Sequence, residues 1–185
     1  MPHRIRTDLM EQIAPLAEEA ATVYARGLAD LAYADIRIEI TEGKWAGAEN
    51  GSAKSSGDDY GFAIGVRVLA GSRAIAPGYF GRALGAADLR GLAALLREAL
   101  QSAHRRALVN AEMKADARGK FGPLGDALAD TRLCPVRVTR DAVPAVFQVD
   151  PRTMDLGEMV RFTTDVSRQV ADAHVHYNYI STMTQ

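Results

Sequence analysis

The sequence predicts an α+β fold: an antiparallel β-meander of about four or five strands with long α-helices packed on one face, plus a C-terminal helix and strand. Three observations carry the prediction. Apolar residues recur with the 3.6 period of a helix on either side of a central stretch. Within that stretch the period falls to two. The segments that alternate are joined by turn residues, and connections that short cannot cross over, so the strands must be antiparallel.

The first helix covers Asp8 to Leu31, with Leu9, Ile13, Leu16, Ala20, Tyr24, Leu28 and Leu31 at helical spacing. Pro15 is expected to kink it or to move its start to about Ala14, because proline lacks an N–H and crowds the preceding turn. From Ala34 to Ile40 the residues Ala34, Ile36, Ile38 and Ile40 share one face, and Asp35, Arg37 and Glu39 the other. Glu42-Gly43 reads as a turn and Lys44 to Glu49 as a second strand. Asn50-Gly51 is the dipeptide that tolerates the positive φ angles of a tight hairpin, which makes Ser52 to Ser56 a third strand. Ser56-Gly57-Asp58-Asp59 reads as another turn, after which Phe62, Ile64, Val66 and Val68 alternate with Ala63, Gly65, Arg67 and Leu69. A last strand toward Tyr79 carries Pro77 and Gly78, which places it at an edge or a bulge.

Asp88 opens a second long helix through Leu89, Leu92, Leu96, Leu100 and Ala103. Gly119, Gly122, Pro123 and Gly125 break the helical pattern beyond it, and residues 111–135 are expected to form a loop excursion. A strand from Val136 to Thr139, a helix capped by Asp155 with Glu158, and an alternating strand from His174 to Met183 complete the chain. The organisation is therefore a helix–meander–helix core over 1–110, the excursion over 111–135, and a strand–helix–strand extension over 136–185 that points toward a further domain.

Composition sets the bounds on function. A chain of 185 residues with 48% hydrophobic and 24% charged residues has enough apolar surface for one core. Its net charge of -1 gives no positive field to attract phosphate backbones or anionic lipid, so neither nucleic acid nor membrane is an expected partner. No run approaches the roughly 18 apolar residues of a membrane span. The single Cys134 cannot form an intramolecular disulfide, which fits a reducing, cytoplasmic setting.

Taken in order, the first helix, the run Tyr33-Ala34-Asp35-Ile36-Arg37-Ile38-Glu39, the strand Gly65-Val66-Arg67-Val68 and the Ala/Leu-rich helix behind it resemble the N-terminal domain of the TldD/PmbA family. Members are described as zinc-dependent peptidases or as modulators of DNA gyrase. The resemblance runs from about Leu9 to Asn110, and Val149-Asp150-Pro151 with Asp155-Leu156 look like the family's run into its second half. In active members a His-Glu-x-x-x-His helix and a later Cys, in the C-terminal domain, bind the metal. None of His3, His104, His174 and His176 is followed by Glu, so no catalytic residue carries over to this sequence. The resemblance implies a substrate-holding and subunit-assembly domain of a metallopeptidase, without catalysis of its own. Zinc is expected only in the absent C-terminal domain. The implied partners are a peptide substrate, held extended, and a TldD/PmbA-type subunit in a homo- or hetero-oligomer. The chain is then a piece of a longer protein or a natural short relative. The alternative is a stand-alone peptide-binding or dimerisation module.

Five residues are candidates for a peptide or partner surface. Trp45 and Tyr60, in or beside the meander, offer rings for stacking, or simply cover the sheet. Arg67 is placed to contact a peptide, or to make an exposed cross-strand ion pair with Asp35. Tyr177 and Tyr179, on the last strand, suit a surface covered by another domain or subunit. His174 and His176 sit two apart, so on a strand both imidazoles would share a face and could chelate zinc given a third ligand; two solvent-facing histidines are the plainer account. Cys134, between Leu133 and Pro135, has neither a base nor a cation beside it in sequence and reads as a packed thiol.

Overall fold

The computed structural model describes residues 7–129, 146, 148–171 and 174–184. Four strands make one antiparallel sheet in the order β3-β2-β1-β4: β1 (Leu31–Glu49), β2 (Ser52–Ala70), β3 (Ala76–Ala83) and β4 (Tyr179–Thr184). The helices are α1 (Thr7–Glu19), α2 (Leu92–Phe121), α3 (Pro123–Ala129) and α4 (Leu156–Val170). The fold is α+β and ends in a helix and a strand. Two compact units divide the chain: Met1–Glu39 with Phe62–Val138, and Ile40–Gly61 with Thr139–Gln185.

The meander differs from the sequence expectation in one respect. Instead of short strands with turns at Glu42-Gly43 and Ser56–Asp59, β1 and β2 each run unbroken for 19 residues around one turn. That turn is Asn50-Gly51, both at positive φ (48° and 78°), the geometry that matches the twist of a two-residue hairpin. The glycines at 43 and 57 do not reverse the chain. Each sits under a side chain of the neighbouring strand: Asp59 over Gly43 and Trp45 over Gly57.

In the first unit, the core face of β2 is Phe62, Ile64, Val66, Val68 and Ala70, all at most 5% exposed. Against it the first unit sets α2, whose Leu92, Leu96, Ala99, Leu100, Ala103, Ala107 and Ala111 are buried at helical spacing. β3 pairs with residues 63–70 of β2, Val68 opposite Gly78. Gly78 carries no side chain because α2 passes directly over it: a Cβ there would be driven into Ala103 O and Ala107 N. The approach lets three side chains four apart on α2, hence on one helix face, reach alternate carbonyls of β3 and the residue before it. Arg106 Nη1 donates to Tyr79 O (2.7 Å), Asn110 Nδ2 to Pro77 O (2.8 Å) and Lys114 Nζ to Ile75 O (3.1 Å). The β3 edge, which proline and glycine already mark as an edge, is thus closed by a helix.

Two helices differ from expectation. The first does not reach Leu31: after α1, which contains Pro15, the backbone widens into a π-turn at Ala20–Tyr24, tightens into a 3-10 turn at Ala25–Gly27, and is extended at Leu28. Gly27 and the positive φ of Asp30 (52°) end it and reverse the chain, so that Leu31 opens β1. The excursion expected over 111–135 is helical in its described part. Ala111 to Arg118 are mostly strong helix formers, and a lone Gly119 costs only about 1 kcal/mol, so α2 continues to Gly122, whose φ of 55° stops it. Pro123 then begins α3, where its missing N–H is no loss. The expected strand at Val136–Thr139 and Cys134 lie outside the described residues.

In the second unit, β4 pairs with β1 from Lys44 opposite Thr184 to Glu49 opposite Tyr179. α4 starts where Asp155 Oδ1 accepts the Glu158 N–H (2.9 Å), as its sequence spacing predicts. The core of this unit is small and partly polar: Ala46, Ala48, Met159, Thr163 and Ser167 are all at most 2% exposed. Ser167 accepts from Gly51 N–H (2.8 Å) and donates to Asn178 Oδ1; Asn178 N–H donates to Asn50 Oδ1 (3.0 Å), and Arg168 Nε to Gly51 O (3.0 Å). This network fastens the hairpin turn to α4 and to the start of β4, so every buried polar atom in it has a partner.

Candidate functional site

The second unit presents one sheet face on which side chains lie over glycines. A Cβ on Gly57 would lie 3.1–3.2 Å from Cζ2, Cε2 and Nε1 of Trp45, so the indole rests flat on the bare backbone. Tyr179 covers Gly47 in the same way, with a Cβ there 3.0 Å from its Cζ, and Thr41 and Asp59 lie over Gly61 and Gly43. Because β-strand side chains alternate, these contacts place Thr41, Trp45, Asp59 and Tyr179 on one face, joined by Met183, which pairs with Trp45. Trp45, Tyr179 and Met183 are 39%, 48% and 70% exposed. Their rings and thioether face outward.

Among the described residues, the edge beside this face is unpaired. β3 accompanies β2 only from residue 63 onward, and among the described residues no strand lies alongside Ser52–Gly61 on that side. Residues 52–56 and 58–60 are all exposed. An unpaired strand presents a row of N–H and C=O groups ready to pair with an extended chain. Two carboxylates stand on it, Asp58 and Asp59, with no cation beside them among the described residues. Lys54, the one base on this stretch, is already held by Glu49 across the turn at 2.8 Å. That hydrogen bond, ahead of the charge attraction, raises the ammonium above its ordinary value. Tyr60 follows Asp58 by two residues and is 48% exposed.

The other sequence candidates lie elsewhere. Arg67, in the first unit, donates from Nε (2.8 Å) and Nη2 (2.6 Å) to Asp35 Oδ2 and stacks 5.7 Å from the centroid of Tyr33. The hydrogen bond to Asp35 is the main reason its guanidinium is held above its usual value. Beside it, Tyr79 lies over the glycine pair Gly65 and Gly81. The geometry is that of an exposed ion pair. Tyr177 is 62% exposed and precedes β4.

His174 and His176 are not on a strand, contrary to expectation: one is in a turn and the other in a bend. The physical reason is register. Tyr179 pairs with Glu49, the last residue of β1, so anything earlier than Tyr179 runs past the end of the strand it would have paired with. The shared face required for chelation therefore does not form, and no group of three or more His, Cys, Asp or Glu side chains converges among the described residues. A small recess lined by Glu42, Lys44, Pro151, Arg152 and Thr184 is structural, since Lys44 Nζ donates to the carbonyls of Arg152 (3.1 Å) and Met154.

Sequence reasoning singled out Trp45, Tyr60 and Tyr179 but took Asp58 and Asp59 for turn residues. The signal that separates the two cases is the single strong turn dipeptide at Asn50-Gly51, which lets equal lengths of chain on either side pair throughout. No described helix is long and apolar enough to cross a membrane. Compared with known proteins, the chain matches no protein-family model and no curated protein.

Proposed function

We propose that this chain is a peptide-holding and assembly domain without catalysis of its own, of the kind found at the N-terminus of TldD/PmbA-type metallopeptidases. The observation that supports it best is the unequal treatment of the sheet edges. Three side chains of α2 are committed to closing the β3 edge, while Ser52–Gly61 of β2 has no strand beside it among the described residues. An edge left unpaired next to an exposed aromatic face is suited to take up an extended peptide through its backbone. In this reading zinc and the hydrolytic residues belong to another domain, the setting is cytoplasmic, and neither nucleic acid nor membrane is involved.

The test is amide hydrogen exchange on the chain with and without an unfolded, reduced and alkylated polypeptide. Slowed exchange confined to residues 52–61 is the expected result. Unchanged exchange along β2 would refute peptide holding, and zinc-dependent peptide cleavage by this chain alone would refute the absence of catalysis.

A stand-alone dimerisation module is the second reading, favoured by the exposure of Tyr177, Tyr179 and Met183 around β4. Light scattering separates the two, because a dimer that loosens on Met183→Lys would assign β4 and not β2 as the working surface.

A further inference from the structure

We propose that the open edge of β2 selects extended peptides that carry two adjacent basic residues, one seated against Asp58 and the other against Asp59. The inference rests on the peptide-holding reading and adds the substrate class. Consecutive residues of a strand point to opposite faces, so Asp58 and Asp59 set one carboxylate on each face of the same edge. On a strand added beside them, the residues directly opposite are also consecutive and also diverge to the two faces, with Cβ atoms about 5 Å away. Adjacent basic side chains are the pattern that meets both charges.

Each carboxylate shares its sheet face with an exposed aromatic side chain. On the Asp59 face, the carboxylate leans over Gly43 of β1, and the exposed Trp45 indole lies over Gly57, two residues before it. On the Asp58 face, the half-exposed Tyr60 stands two residues on. A guanidinium or ammonium bound at either carboxylate has an exposed ring on the same sheet face, and ring faces attract cations. Lys54, paired with Glu49, does not compete for the site. A second copy of this chain is a poor occupant, because edge-to-edge pairing would bring Asp58 and Asp59 of both copies together.

Trp45 is the chain's one tryptophan, so its fluorescence reports the site directly. The titrants are blocked, Thr/Val-rich peptides identical except at a central pair: Lys-Arg, Ser-Ser or Glu-Glu, with two further Lys-Arg peptides N-methylated at alternate backbone nitrogens in one phase or the other. The Lys-Arg peptide is expected to bind roughly five- to twentyfold more tightly than Ser-Ser, the sum of two exposed charge pairs. Glu-Glu is expected to bind most weakly, and N-methylation to abolish binding in one of its two phases. The double variant Asp58→Asn/Asp59→Asn, isosteric and exposed, should erase the Lys-Arg preference and leave Ser-Ser affinity unchanged. Equal affinities for Lys-Arg and Ser-Ser would overturn the selectivity while leaving peptide holding intact; no binding by any peptide would overturn both. A preference that survives in the double variant would place the recognition elsewhere, and a dimer whose exchange protection maps to 52–61 would make a second copy the occupant.

Discussion

Replacing Gly78 with alanine adds one methyl group at the tightest helix–sheet contact of the first unit. The new Cβ would lie 3.0 Å from the carbonyl carbon of Ala103 and closer still to its oxygen, where ordinary contact begins at 3.4 Å. Both neighbours are helix backbone and cannot rotate away, so α2 has to retreat from β3 by about 1 Å or more. That retreat stretches the Arg106–Tyr79 and Asn110–Pro77 hydrogen bonds, now 2.7 and 2.8 Å, beyond useful length. Two such bonds contribute about 1 kcal/mol each and overpacking adds about 1–3 kcal/mol, for a loss of about 3–5 kcal/mol. The total is a large share of the roughly 5–15 kcal/mol that stabilises a domain. Urea unfolding followed by far-ultraviolet circular dichroism measures it, and amide exchange at Gly78, Tyr79 and their β2 partners Val68 and Arg67 should accelerate in parallel. A Gly78→Ala variant within about 0.5 kcal/mol of the parent, a change typical of an indifferent surface site, would refute the account of how the β3 edge is closed.

The same geometry sets three further outcomes. Ser167→Ala removes the hydroxyl that satisfies both Gly51 N–H and Asn178 Oδ1, and is expected to cost about 2 kcal/mol in urea unfolding and to speed exchange at Gly51. Gly119→Ala, in open space within α2, is expected to stabilise by about 0.5–1 kcal/mol in the same assay. The raised Lys54 value means that its contribution to the hairpin is fully present below 10.5 and is lost as pH rises through the higher folded-state value. An NMR titration of the Lys54 side chain should therefore show its midpoint moved down by Glu49→Gln.

Much of the fold was legible because several of its determinants are local. The 3.6 periodicity of α2, the Asn50-Gly51 turn and the Asp155 cap all act within a few residues of where they are read. The features that escaped were decided across strands. Gly43 and Gly57 look like turn residues in one dimension and are strand residues in three, because the side chains that fill the space above them come from the neighbouring strand. His174 and His176 fit a strand by alternation, yet the strand they needed for pairing had ended at Glu49. The candidate site divided along the same line. Trp45, Tyr60 and Tyr179 are visible as aromatic residues in a polar stretch, whereas Asp58 and Asp59 become candidates only because Ser52–Gly61 has no strand beside it among the described residues.

The glycines of β1 and β2 carry one further step. A glycine inside a strand costs about 0.5–1 kcal/mol against alanine, and Gly43, Gly47, Gly57 and Gly61 all lie within strands. Covering them with Thr41, Trp45, Asp59 and Tyr179 recovers packing, but branched residues on the strands would have packed at least as well. The glycines add flatness, since Trp45 lies down only because position 57 has no Cβ, and a methyl group there would push the ring up by contact at 3.1–3.2 Å. Gly57→Ala therefore separates two roles for the indole. If Trp45 serves only to cover backbone, the variant should hold its stability within about 0.5 kcal/mol, because alanine is the better strand residue, and bind peptides as before. If the flat ring is part of the site, stability stays level while the Lys-Arg peptide loses affinity relative to Ser-Ser, a split that a purely structural tryptophan cannot produce.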